Sequence, residues 1–124
     1  MTTLDAASPY FIDHPGRVRA LQAAMAQAGI DAYLGSRLRT LSWTLDAFCP
    51  WRSFVVVPAE GRPAAFTFVI DAARVADESW IGEDRVFGFA PMGGQDQIEL
   101  IADFIKDLLV SGCFSFKIKF KDTP

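Results

Sequence analysis

The sequence predicts an α/β fold, a three-layer sandwich in which a mixed β-sheet lies between flanking helices. Segments with the apolar period of a helix alternate along the chain with short runs rich in β-branched and aromatic residues. Two of these runs, residues 52–58 and 64–70, are separated by a turn that contains Gly61 and Pro63, which predicts a β-hairpin. Hairpin strands are antiparallel, whereas strands joined through a helix are commonly parallel, so the sheet is predicted to be mixed.

The first helix is predicted to start at residue 14 and to end before Gly29. Asp13 or His14 can cap it, Pro15 suits its first turn, and Gly29 supplies a left-handed stop. Its apolar positions recur at a spacing of three or four residues: Val18, Leu21, Met25 and Ala28. The apolar run at residues 30–34 then predicts a buried strand.

The least regular stretch of the chain covers residues 37–51. It reads RLRTLSWTLDAFCPW and mixes polar, aromatic and proline residues, with one helical turn predicted at residues 40–45. Binding residues are commonly carried on irregular segments that a regular scaffold positions. We therefore interpret this stretch as a functional loop.

Three elements are predicted after the hairpin. Asp71 is placed to cap a short helix that runs to about Ser79, and residues 84–89 predict a strand. Asp96 and Glu99 have the spacing of a capping box at the start of the last helix. The apolar face predicted for that helix consists of Ile98, Ile101, Phe104, Ile105, Leu108 and Leu109.

The end of the sequence predicts one more strand. Residues 114–121 alternate apolar residues with a serine and three lysines, which is typical of a half-buried strand with a cationic outer side. We divide the chain into an arm (1–13), one domain (14–112) and a C-terminal strand or tail (113–124). A length of 124 residues favours a single domain that can bury a core without disulfides or a structural metal.

Composition argues against several classes of function. Twelve Lys and Arg residues against fifteen Asp and Glu residues leave a net charge of −3, which argues against nucleic acid as a partner. The chain has no basic leader and no apolar run near the roughly 18 residues of a membrane span, so we expect a cytoplasmic protein without a membrane partner. His14 is the single histidine, so a centre needing two imidazoles cannot be built from this chain alone. Cys49 and Cys113 fit neither a metal-binding spacing nor a disulfide framework, and both are interpreted as buried apolar residues.

The order of elements and several local strings resemble the N-terminal domain of the creatinase, aminopeptidase P and prolidase superfamily. The resemblance covers residues 17–109. It begins with RVRALQAAM at residues 17–25, continues in AGIDAYL at residues 28–34, and includes the aromatic loop and the hairpin with Gly61 and Pro63.

This resemblance implies a mixed-sheet domain with a ribonuclease H-like layout that precedes a larger catalytic domain of the pita-bread fold. In the superfamily, two divalent metal ions are held by the catalytic domain, so the resemblance implies no catalytic residue, metal or cofactor in this chain. The implied partners are the chain's own C-terminal catalytic domain and a second copy of the chain in a homodimer. The implied parent protein is a hydrolase whose active site this domain shapes.

Arg52 and Trp51 are the first candidates for contact with substrate. In relatives such as creatinase, an arginine near the start of the hairpin reaches across the dimer to a substrate carboxylate, and Arg52 matches that position. A guanidinium offers two parallel donors to a carboxylate, and an adjacent indole excludes water. The alternative is that Arg52 caps the sheet edge and that Trp51 packs on it.

Trp43 and Asp46 are the other two candidates. They fall in a region that resembles the family pattern Asn-x-x-Tyr-Leu-x-Gly, with Thr40 in place of the asparagine, Trp43 in place of the tyrosine and Asp46 near the glycine. These departures leave the substrate class open, and an aspartate there suits a cationic or otherwise unusual substrate. The alternative for Trp43 is packing in the core.

Other interpretations use different residues. An anion-binding turn at Gly93 and Gly94 is disfavoured because an acidic residue, Asp96, lies in the first turn of the following helix. The lone His14 at a helix start is expected to be a capping or surface residue. A ribonuclease H-like metal-dependent nuclease would need carboxylates such as Asp31, Asp46 and Asp71 to converge, and the net charge disfavours it. A stand-alone dimerisation module would use an exposed edge strand at residues 114–120 together with Trp51 and Trp80.

Overall fold

The computed structural model describes residues 7–90, 96–112 and 118–120, with side chains as far as residue 107. Four helices lie in the described part of the chain: α1 (His14–Ala28), α2 (Leu38–Leu45), α3 (Ala72–Glu78) and α4 (Gln97–Gly112). Five described strands form one sheet: β1 (Ala32–Gly35), β2 (Phe54–Pro58), β3 (Ala64–Phe68), β4 (Val86–Phe89) and β5 (Ile118–Phe120). Short 3₁₀ turns precede α3 and β4, at Val69–Asp71 and Glu83–Arg85.

The sheet is mixed, as predicted. Its strand order is β4-β3-β2-β1-β5, with β2 antiparallel to both β1 and β3. The outer pairs are parallel, β4 with β3 and β5 with β1. The prediction of an edge strand near the end of the chain is confirmed for residues 118–120, and the rest of that prediction lies outside the described residues.

The core lies on both faces of the sheet, because the central strand β2 alternates its side chains between them. Val55 and Val57 pack with α1, α2 and α3, whereas Val56 packs with α4. All three valines are fully buried. Burying a valine side chain contributes about 1.5 to 3 kcal/mol, so the hairpin stabilises both layers of helices. The predicted three-layer α/β sandwich is therefore confirmed.

The ends of α1 follow from local chemistry. Asp13 is the N-cap and accepts a hydrogen bond from the Gly16 N–H at 2.9 Å. Gly29 ends the helix in the left-handed conformation, with φ of 68°, as its sequence position predicts. The irregular stretch contains more helix than predicted, since α2 has two turns rather than one.

Two sequence predictions about helices are wrong. Asp71 precedes α3 but makes no capping hydrogen bond, because its carboxylate accepts from Arg74 instead, at 3.3 Å. Ile98 is 61% exposed, although the apolar period places it on the buried face of α4. Gln97 faces the sheet at that end of the helix, and Ile101 and Ile105 supply the buried contacts farther along.

Trp80 also differs from its expected role. Its ring packs against the core, and its Nε1–H donates to the carbonyl oxygen of Thr44 at 2.7 Å. The indole is therefore committed to holding α2 against the segment that follows α3. It does not offer the exposed apolar surface expected for a dimerisation module.

Candidate functional site

The candidate site is built on the 46–53 loop, which joins the end of α2 to the start of β2. Asp46 opens this loop, Trp51 and Arg52 lie near its end, and Trp43 lies on the last turn of α2. All four residues predicted from sequence therefore lie on one continuous segment of chain. The loop starts beside the N-terminus of α1 and ends at the sheet.

Asp46 ends α2 in a left-handed conformation. It is the one non-glycine residue with positive φ in the described part of the chain, at 60°, and its N–H donates to the Ser42 carbonyl at 3.1 Å. The left-handed region is the usual choice at this position of a helix end, and Asp tolerates it better than most side chains. Glycine adopts this backbone conformation even more readily, and aspartate can occupy the same position.

His14 is the first residue of α1, and its side chain is buried against the end of α2. The expectation that it is a capping or surface residue is therefore wrong. The residue is 7% exposed. Its Nδ1 lies 2.9 Å from the carbonyl oxygen of Trp43, and its Nε2 lies 3.4 Å from Oδ1 of Asp46. One imidazole ring thus connects two of the four candidate residues.

Trp43 is at the surface rather than in the core. It is 39% exposed, and the guanidinium carbon of Arg17 lies 5.4 Å from the centre of its ring. This distance is that of a cation–π contact, which stabilises a half-exposed indole by about 0.5 to 1 kcal/mol. Trp43 also lines an open groove, together with Tyr33, Arg37 and Arg39.

The middle of the 46–53 loop is anchored to the body of the domain. Ala47 and Cys49 are buried in the core between the sheet and the helices. The Phe48 N–H donates to Oε1 of Glu78 at 3.3 Å, and the guanidinium of Arg74 lies 6.0 Å from the Phe48 ring. Burial raises the pKa of the Cys49 thiol to about 11, so the thiol is neutral at physiological pH and is a poor nucleophile.

Trp51 and Arg52 have exposed side chains on a backbone that is held in place. Trp51 is 65% exposed, and its carbonyl oxygen accepts a hydrogen bond from the hydroxyl of Ser53. The carbonyl of Arg52 accepts from Nε2 of Gln97 at 2.6 Å, and Ser53 also contacts the hydroxyl of Thr67 at 3.0 Å. Within the described residues, no carboxylate lies within ion-pair distance of the Arg52 guanidinium.

Gln97 supports the candidate site and was missed by sequence reasoning. Its buried amide donates to the carbonyls of Arg52 and Phe66, at 2.6 and 3.1 Å, and so ties the start of α4 to the end of the 46–53 loop and to β3. A polar residue at the apolar position of a helix is the available signal, since Gln97 lies four residues before Ile101 on the buried stripe.

The three aspartates of the nuclease interpretation do not converge. Asp31 lies before the start of β1 and Asp71 lies after the end of β3. These two strands run in the same direction because both are antiparallel to β2, so the two carboxylates lie at opposite ends of the sheet. Across the described ranges, no three His, Cys, Asp or Glu side chains are grouped so as to hold a metal ion.

The fold can be compared with known proteins. No family model and no curated protein matches the sequence. Solved structures do match. The creatinase/prolidase N-terminal domain of an X-Pro dipeptidase from Streptococcus pyogenes aligns with a TM-score of 0.61 and 19% identity, over 71% of this chain and 66% of that domain. The fold is that of the creatinase/prolidase N-terminal domain.

Two further structures define the extent of the match. The N-terminal domain of Xaa-Pro dipeptidase from Lactobacillus brevis aligns with a TM-score of 0.62 and 17% identity, over 73% of this chain and 67% of that one. Xaa-Pro dipeptidase from Bacillus anthracis aligns with a TM-score of 0.67 and 15% identity, over 90% of this chain. The alignment covers 34% of the Bacillus anthracis chain, so the match there is to about a third of a longer protein.

The helices of this fold pack as layers on the two faces of the sheet. Among the described helices, none combines the length and the apolar character needed to cross a membrane.

Proposed function

We propose that this chain is the non-catalytic N-terminal domain of a two-domain hydrolase of the Xaa-Pro dipeptidase type. In this proposal the 46–53 loop helps to shape the active site of the C-terminal catalytic domain, across a homodimer. The fold supports the proposal, as does the match to about a third of a longer dipeptidase chain. A cytoplasmic location belongs to the same proposal.

One observation carries the assignment of Arg52 as the residue that contacts substrate. Its main chain is fixed by Gln97 and by the Ser53 turn, while its side chain is exposed and has no carboxylate partner in the described part of the chain. A fixed backbone with an uncommitted guanidinium suits binding of a carboxylate from another molecule, because the guanidinium presents two parallel donors. The carboxylate of a dipeptide is such a group. The adjacent Trp51 ring would cover the apolar part of the substrate.

The bond-breaking step is assigned to the catalytic domain, with two divalent metal ions held there. This chain has one histidine, and its ring already contacts Trp43 and Asp46. The side chains of the 46–53 loop are suited to binding and orienting a substrate rather than to activating water. Trp43 and Asp46 would form the second part of the binding surface.

A second candidate function is a stand-alone dimerisation module. It is favoured by exposed apolar side chains at one end of the sheet. β2 and β3 are antiparallel, and Trp51 comes before β2 whereas Val69 follows β3, so these two exposed residues lie at the same end of the sheet. The Trp51→Ser variant distinguishes the two functions. If this chain is a dimerisation module, sedimentation should show that Trp51→Ser converts a dimer of the purified chain to a monomer. The same substitution should then have no effect on hydrolysis by a longer protein that contains the domain.

The deciding experiment measures hydrolysis of Xaa-Pro dipeptides by the protein that contains this domain together with its catalytic domain. Arg52→Ala should raise KM about tenfold or more, because a charge-assisted pair to the substrate is lost, while the melting temperature stays unchanged. Arg52→Lys should recover part of the affinity. Arg19→Ala is the matched control, since Arg19 is an exposed arginine on α1 whose removal should leave KM unchanged.

Two results would contradict this function. One is a protein that contains this domain and does not hydrolyse Xaa-Pro dipeptides. The other is an Arg52→Ala protein that loses stability and activity together, which would make Arg52 a structural residue at the sheet edge.

A further inference from the structure

The contact between His14 and the end of α2 depends on the protonation of one particular nitrogen. A carbonyl oxygen can only accept a hydrogen bond, so the nitrogen 2.9 Å from the Trp43 carbonyl, Nδ1, must carry a proton. The other nitrogen, Nε2, lies 3.4 Å from a carboxylate oxygen of Asp46. That contact is attractive only when Nε2 is also protonated, because otherwise a lone pair faces a negatively charged oxygen.

The side chains around the ring make this dependence specific. Asp46 is the charged residue that faces His14 from α2. The charged residues on α1 and at its N-cap have other partners. Arg17 contacts the ring of Trp43, and the Asp13 carboxylate accepts from the Gly16 N–H and lies 3.9 Å, Oδ2 to Nη2, from Arg19. Among the described residues, a proton on Nε2 therefore has one carboxylate within ion-pair distance, and this is the carboxylate that begins the 46–53 loop.

We infer that His14 is a proton-sensing positioning residue for the candidate site. Its doubly protonated ring holds the last turn of α2 through the Trp43 carbonyl and holds the left-handed Asp46 through its carboxylate. Loss of the proton leaves the Trp43 contact in place and releases Asp46, whose conformation then lacks the support of the ring. The inference deepens the proposed function by adding a regulation of the same site, and its relevance to catalysis rests on that function.

Asp46 is the residue through which this effect would reach the rest of the loop. Its backbone has positive φ, a conformation that residues other than glycine adopt only at an energetic cost. A strained backbone conformation depends more on its supporting contacts than an ordinary backbone conformation does. Release of Asp46 should therefore alter residues 47–49 before it alters Arg52, whose carbonyl is held separately by Gln97.

The test is nuclear magnetic resonance of the purified chain between about pH 5 and pH 8, where imidazoles ordinarily change charge. The chain contains one histidine, so its ring signals need no assignment. We expect both ring nitrogens to be protonated at the acidic end and the neutral ring to carry its proton on Nδ1. The backbone amides of Trp43, Asp46 and Ala47 should shift with the same midpoint as the ring.

Two variants sharpen the test. Asp46→Asn keeps a side chain that tolerates the left-handed conformation, and its amide can turn either its oxygen or its NH₂ towards Nε2, so the loop amides should stop following the ring titration. His14→Gln retains one donor for the Trp43 carbonyl without a titratable proton, so the loop amides should be independent of pH. If His14→Gln does not fold, Asp46→Asn still decides the question.

The inference is overturned if the neutral ring carries its proton on Nε2, or if the Trp43 and Asp46 amides do not move while the ring titrates. Loop amides of Asp46→Asn that still follow the ring would overturn it as well. None of these measurements uses a substrate. Failure of the proposed function would instead appear as a missing hydrolytic activity with the resonance results unchanged.

Discussion

Arg62 and Asp84 form a bidentate ion pair, with N–O distances of 2.9 and 2.7 Å, that joins the β2–β3 turn to the turn before β4. Nη1 of Arg62 also donates to the carbonyl of Ile81 at 2.7 Å. The hydrogen bonds from Arg62 lower the pKa of the Asp84 carboxyl below its ordinary value of 3.8. One exposed arginine therefore holds together two turns that are 22 residues apart in sequence.

Replacing Arg62 with alanine should lower the melting temperature of the domain at pH 7 and should have less effect in acid. A carboxyl group with a lowered pKa stabilises the folded state at pH values above its ordinary pKa, and this stabilisation is lost as the pH falls through the lowered value. The difference between wild type and Arg62→Ala should thus shrink as Asp84 becomes protonated. Thermal melts at several pH values measure this, and an Arg39→Ala protein, which lacks an exposed arginine elsewhere, should show no such pH dependence.

Replacing Gln97 with leucine should destabilise the domain by about 1 to 3 kcal/mol, because the buried carbonyl of Phe66 and the carbonyl of Arg52 lose their donor. The matched control is Gln22→Leu. The amide of Gln22 also donates to two carbonyls, those of Pro58 and Gly61, each at 2.9 Å, but the bond to Gly61 is exposed, so water can replace that one and the loss should be smaller. Urea unfolding compares the two proteins, and equal losses would show that burial of Gln97 is not what matters.

The fold was predictable because its determinants are local. Asp13, Pro15 and Gly29 mark the ends of α1 in sequence, and the apolar runs on either side of Gly61 mark the hairpin. The errors occur where tertiary contacts decide the outcome. Asp71 has the residue type and the position of a helix cap, yet an arginine three residues later takes its carboxylate.

The candidate site was predictable only in part. The sequence and its resemblance to a family pointed to Trp43, Asp46, Trp51 and Arg52, and the structure places them on one segment. The residues that hold this segment were missed because their partners are distant in sequence. His14 reaches Trp43 across 29 positions, and Gln97 reaches Arg52 across 45. No periodicity or spacing rule relates positions so far apart.

Replacing Asp46 with alanine should destabilise the domain by about 1 to 2 kcal/mol, because alanine at positive φ is strained and cannot contact His14. Asp46→Gly removes the strain and loses only the contact, so it should lie closer to wild type. Gly29→Ala is the control for strain alone, since Gly29 has φ of 68° and an added Cβ there would point into open space. If Asp46→Ala and Asp46→Gly unfold at the same urea concentration, the left-handed conformation is not a source of strain.

Cys49 should react with iodoacetamide only when the domain unfolds. Thiolates are the reactive form, and burial raises the pKa of this thiol from about 9.0 to about 11, so at pH 8 the folded chain presents very little thiolate. The measurement is best made in a Cys113→Ser background, which leaves Cys49 as the one cysteine, with the rate of alkylation compared with and without urea.

The raised pKa of Cys49 also predicts how stability changes in alkali. The unfolded chain loses the thiol proton near pH 9.0, whereas the folded chain keeps it until about pH 11. The stabilisation from a neutral buried thiol is therefore complete below pH 9.0 and declines as the pH rises between these values. Cys49→Ala removes this titration, so its free energy of unfolding should fall less steeply over that range. Fast alkylation of the folded chain at pH 8, or identical alkaline profiles for the two proteins, would show that the thiol is accessible rather than part of the core.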